Sequence, residues 1–88
     1  MKALHKLTNA PGLETIDIPI PEVGPRDCLL QVEAASICGT DLHIWHWDAW
    51  SRQRVRPPVT LGHEFAGTIV EVGNLTSQVQ VGDYVSAE

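Results

Sequence analysis

Cys28-Leu29-Leu30-Gln31-Val32-Glu33-Ala34 is the stretch whose reading decides the fold. Cys28, Leu30, Val32 and Ala34 share one face, while Gln31 and Glu33 point the other way. That period of two belongs to a half-buried strand, and Cys28 on its apolar face reads as a small core filler. Phe65-Ala66-Gly67-Thr68-Ile69-Val70-Glu71-Val72 is a second strand candidate. Ala66, Val70 and Val72 lie on one of its faces and Phe65 and Ile69 on the other, so it is expected to be covered on both sides.

Outward from these two segments, the punctuation favours further short strands. Leu13 to Ile18 is rich in β-branched residues and stops at Pro19-Ile20-Pro21, which cannot sit inside a central strand. Gly24-Pro25-Arg26-Asp27 reads as a turn, as do Gly73-Asn74 and the Gly82-Asp83 pair that kinks a last strand over Val79 to Val85. Gly39-Thr40-Asp41 starts a short helix, with Thr40 the candidate cap for residues 41 to 47. Trp45 to Pro58 carries three Trp and three Arg without a clean period, and reads as an irregular loop. Four or five short strands, Gly turns and little helix predict a mainly β, antiparallel, barrel-like fold. The sequence stops just after a strand and reads as cut off.

Composition narrows the function. The 88 residues amount to one small domain or a piece of a larger one. A hydrophobic share of 43% against 19% charged is that of a globular chain, not a collagen-like, coiled-coil or disordered one. No apolar run approaches the roughly 18 residues of a membrane span, and MKALHKL lacks a secretory apolar stretch. The net charge of −5 argues against nucleic acid as a partner. Two cysteines are too few for a disulfide scaffold, so a reduced, cytoplasmic protein is expected. Asn74-Leu75-Thr76 matches a glycosylation sequon but reads as a plain turn.

The chemistry concentrates in Cys38-Gly39-Thr40-Asp41-Leu42-His43 and in Gly62-His63-Glu64. Thiolate, imidazole and carboxylate are the side-chain types that bind zinc. Three protein ligands and one open position would make a catalytic site; a closed structural site would want more cysteines. Against this, an isolated Cys is usually core and an isolated His is usually surface. His5 reads as a surface residue, and His46 between two Trp as a loop-packing one.

Resemblance adds to that reading. Gly62-His63-Glu64-x-x-Gly67, then Gly73, then Gly82-Asp83-x-Val85 resembles the zinc signature of the medium-chain alcohol dehydrogenases. Cys38-Gly39-Thr40-Asp41-x-His43 is similar to that family's first-ligand and proton-relay segment. Cys38 to Trp50, CGTDLHIWHWDAW, resembles the threonine-oxidising branch, and MKAL, Pro19-x-Pro21 and Pro57-Pro58 fit as well. The likeness spans essentially all 88 residues, with one departure: Thr76 stands where the signature usually carries Val or another small residue.

The resemblance implies a GroES-like, partly open β-barrel with a short helix. Residues 1–88 would be the N-terminal part of a catalytic domain whose structural-zinc lobe and Rossmann NAD-binding domain lie elsewhere. No G-x-G-x-x-G follows a strand here, so the 88 residues alone are expected to show no turnover. The implied cofactors are Zn2+ and NAD, and the implied reaction converts L-threonine to 2-amino-3-oxobutanoate. Cys38 and His63 would be zinc ligands, and Glu64 a third ligand or a near neighbour. Thr40 would accept the alcohol proton and pass it through the cofactor ribose to His43, which opens to solvent. Trp45 to Trp50 would wall the substrate pocket, or else anchor a loop or an oligomer contact. A homotetramer is implied for the full-length enzyme. A polyol or butanediol dehydrogenase, and a free-standing GroES-like zinc-binding module, are the competing readings.

Overall fold

A computed structural model describes all 88 residues. Its elements in chain order are β1 (Lys2–Lys6), β2 (Glu14–Asp17), β3 (Cys28–Ala35), α1 (Gly39–His46), α2 (Ala49–Arg54), β4 (Val59–Thr60), β5 (Phe65–Val72) and β6 (Tyr84–Ala87). The chain is mainly β, as expected. All strand pairs are antiparallel, and they form two three-stranded sheets. No helix is long and apolar enough to cross a membrane. The chain divides into two compact units, Met1–Pro19 with Ile37–Gly62, and Ile20–Ser36 with His63–Glu88.

The first unit holds the sheet β2-β1-β4 and both helices. β1 pairs along its length with β2, Ala3 opposite Ile16 and Leu4 opposite Thr15, and its end pairs with β4. Neither β1 nor β4 is legible in the sequence. Two lysines and a histidine in KALHK mask the strand pattern, and tertiary pairing supplies what propensity does not. Ile44 and Trp47 are the buried apolar residues of this unit. Lys6 is buried with them: its Nζ donates to the carbonyls of Ala10 (2.6 Å) and Gly12 and lies 5.2 Å from the centre of the Trp47 ring. Burial pushes the Lys6 ammonium below its ordinary pKa, and the nearby Glu14 carboxylate opposes that shift.

The span read as an irregular loop is largely helical. α1 runs to His46, Trp47 turns left-handed at φ 55°, and α2 follows at once. Asp48 is the reason. Its backbone is extended and its carboxylate accepts the Ser51 N–H at 3.0 Å, the arrangement of a helix N-cap. Arg52 and Arg54 in the last turn suit the negative end of the helix. The Pro57–Pro58 peptide bond is cis and leads into β4.

The second unit is the sheet β3-β5-β6, with β5 central and Ile69 fully buried. β3 and β5 fall where the sequence places them, but their faces differ from expectation. The β3–β5 register shifts between Leu29 and Leu30 and again between Val32 and Ala34, so strict alternation fails and Val32 is 55% exposed. Val70 on β5 is 44% exposed rather than covered. The last strand also starts later than Val79. The Asp83 carboxylate accepts the Gln80 N–H at 3.0 Å and Gly82 takes φ +97°, so the approach to β6 is a turn.

Two glycines let backbones approach closely here. A Cβ on Gly67 would lie 2.2 Å from the Gln31 carbonyl oxygen, and one on Gly73 would meet the Gly24–Pro25 backbone. The Gly24–Asp27 turn is as expected, with Asp27 Oδ2 accepting the Gly24 N–H at 3.2 Å. Thr76 hydroxyl is placed against the Pro25 and Asp27 carbonyls at 3.3 and 3.2 Å, which gives the departure from Val a physical role.

Candidate functional site

In the first unit the candidate residues gather on α1. Cys38, not Thr40, is the N-cap: its backbone is extended, and its N–H donates to the Asp41 carboxylate at 3.0 Å. Asp41 at the third helical position therefore closes a capping box. Thr40, one turn ahead of His43, is half-buried, and three-residue spacing puts the two on one helix face. Cys38 is half-buried and forms no disulfide.

His43 is engaged by two residues that follow it, Asp48 and Trp50. Its Nδ1 meets Asp48 Oδ2, and its ring lies 5.2 Å from that of Trp50 at an interplanar angle of 32°. The Arg54 guanidinium sits 4.9 Å from the Trp50 ring centre on the same helix. The Ser51 backbone N–H first, and the His43 ring second, hold the Asp48 carboxyl well below its ordinary range, at about 2. Trp47 is a buried anchor within this unit, whereas Trp45 is exposed. His46 is exposed at the end of α1, and His5 pairs with the Thr60 hydroxyl at 3.1 Å.

In the second unit His63 and Glu64 precede β5. His63 is exposed, and its Nε2 lies 3.7 Å from Glu64 Oε2. The other carboxylate oxygen of Glu64 accepts the Ser36 O–H at 2.6 Å, and the Glu64 carbonyl accepts the Ser36 N–H at 2.9 Å. An open groove of about 560 Å³ runs beside them, lined in part by Ser36, Glu64, Phe65 and Ser86. Asp48 and Ser36, the partners of His43 and Glu64, went unread in the sequence. Asp48 was findable only as a helix start, since Asp is a favoured N-cap residue, and not as the partner of His43.

The model of the alcohol dehydrogenase GroES-like domain matches residues 24–88. The chain belongs to that family. All 88 residues of this GroES-like chain are 58% identical to an L-threonine 3-dehydrogenase of Symbiobacterium thermophilum and 52% to one of Bacillus subtilis. The chain spans about a quarter (25%) of the length of each of these curated relatives. Among solved structures, 2R,3R-butanediol dehydrogenase from Bacillus subtilis superposes with a TM-score of 0.81 at 31% identity, over 97% of this chain and 26% of that one. An alcohol dehydrogenase from Thermus sp. ATN1 gives 0.80 at 33%, over 98% of this chain and 24% of that one.

Proposed function

We propose that this GroES-like chain carries the metal-binding and proton-relay side chains of a zinc- and NAD-dependent dehydrogenase that oxidises L-threonine to 2-amino-3-oxobutanoate. The observation that carries the reading is the likeness, over all 88 residues of this chain and 25% of the relatives' length, to enzymes named for that activity, stronger than the likeness to the butanediol enzyme. Cys38, a cysteine in no disulfide, and the exposed His63 offer the soft and borderline donors that zinc prefers. Glu64 holds the third place, as ligand or as neighbour of His63. The donor set fits zinc. Bound there, zinc would supply a Lewis acid that eases loss of the substrate hydroxyl proton.

The chain's own residues handle that proton. The Thr40 hydroxyl receives it, and the His43 imidazole, half-exposed on the same helix face, delivers it to water. Hydride acceptance belongs to NAD, which a separate nucleotide-binding fold would hold. A homotetrameric assembly and a cytoplasmic location form part of the same proposal.

The test is NAD reduction by the longest reading frame that contains these residues, offered L-threonine, 2,3-butanediol and sorbitol. Preference for L-threonine, lost with zinc removal and in His63→Ala, is the expected result. Preference for either diol or polyol overturns the substrate assignment, and tight zinc binding with no turnover on any alcohol favours a metal-binding module.

A further inference from the structure

We propose that Asp48 is a positioning residue that fixes which nitrogen of the His43 ring carries the hydrogen. Its use in catalysis rests on the relay reading above; the positioning itself does not. The two carboxylate oxygens of Asp48 divide their work. Oδ1 accepts from the Ser51 N–H at 3.0 Å and lies 3.1 Å from the Ser51 hydroxyl, which pins the carboxylate to the first turn of α2. Oδ2 is left facing His43 Nδ1. Ser51 is fully buried, and its hydroxyl also lies 3.0 Å from the carbonyl oxygens of His43 and Asp48, tying the start of α2 to the backbone of His43 itself.

An ionised carboxylate can only accept, so the ring must present N–H at Nδ1. In the neutral imidazole the lone pair then sits on Nε2, which becomes the single nitrogen able to take up a proton. The carboxylate stays ionised across the working range, since its pKa is held at about 2. The Trp50 ring packs against the imidazole and restrains its rotation, while Arg54 covers Trp50. One short helix thus grips His43 by an edge and by a face. The same logic, a carboxylate orienting an imidazole and selecting its tautomer, operates in hydrolytic triads. Here Ser51 is buried against Asp48 and has no nucleophilic part.

Long-range proton–nitrogen NMR of the 15N-labelled chain, at a pH where the imidazoles are neutral, reads the tautomer directly; His43→Gln assigns the resonance. The expected wild-type ring has a protonated Nδ1 and a bare Nε2. In Asp48→Asn the amide oxygen still caps Ser51, but the amide N–H₂ now faces Nδ1, so the ring is expected to switch to the Nε2–H form with helix content unchanged. A wild-type ring protonated at Nε2, or the same tautomer in both proteins, overturns the proposal. Should Asp48→Asn not fold, the wild-type spectrum alone decides. In the NAD-reducing reading frame, Asp48→Asn is expected to lower kcat about tenfold with KM for the alcohol little changed. If the tautomer switches while kcat does not move, positioning stands and the relay reading falls.

Discussion

Gly73 lies so near Gly24 that a Cβ on it would sit 2.1 Å from the Gly24 carbonyl oxygen and 2.4 Å from that of Pro25. The obstruction is backbone, which cannot swing aside as a long side chain can. Gly73→Ala is therefore expected to destabilise the second unit by about 1–3 kcal/mol. Gly67→Ala, against the Gln31 carbonyl, should behave alike. Gly39→Ala meets nothing within 4 Å and serves as the control. Urea denaturation of the three variants checks this.

Lys6 spends its ammonium inside the first unit, on the Ala10 and Gly12 carbonyls. Lys6→Met keeps the length of the side chain and leaves those acceptors without their charged donor. A loss of about 2 kcal/mol is expected. A melting temperature equal to wild type would show that water serves the carbonyls as well as Lys6 does.

Asp48 gives α2 an acid sensitivity with a defined sign. Its folded pKa, about 2, lies below the ordinary value of 3.8, so its contribution is complete above pH 3.8 and disappears as pH falls through 2. The Ser51 amide should lose hydrogen-exchange protection over that window. Asp48→Asn removes the titrating group, and its protection should then be flat with pH.

The two cysteines separate by metal content. Cys38→Ser puts a hydroxyl at the N-cap in place of the sulfur donor, and the purified chain, loaded with zinc, is expected to lose the metal. Cys28→Ser, on β3 opposite Val72, should retain it. Elemental analysis distinguishes them, and equal zinc in all three proteins removes Cys38 from the ligand set.

Thr76→Val restores the usual residue of the signature at the expense of the hydroxyl contacts to Pro25 and Asp27. A cost of about 1 kcal/mol is expected, because two carbonyls lose a shared donor.

Local rules carried the reading as far as local rules apply. β5 is found at its full length because a β-branched run between glycines admits little else, and β3 because its alternation is strong. The sidedness of both was misread at Val32 and Val70, since register shifts in a neighbouring strand leave no mark in either segment. α2 was obscured by three tryptophans, although Asp48, a favoured N-cap type, marks its start. Within the candidate site, Cys38, Thr40, His43, His63 and Glu64 were legible as residue types and through family likeness. Their partners were not, because the Ser36 hydroxyl and the Asp48 carboxylate acquire roles only when the chain folds back on them.

Trp47 occupies a left-handed backbone position at φ 55°, where glycine is the usual tenant, with its indole sunk under Lys6. A glycine at that corner would make a swivel; a buried indole makes a bracket. The angle between α1 and α2 is thereby set by side-chain burial, and the span from His43 to Asp48 is inherited from it. Loosening the bracket would blur an imidazole's aim without touching the imidazole, so Trp47→Gly offers a way to weaken the pair from a distance.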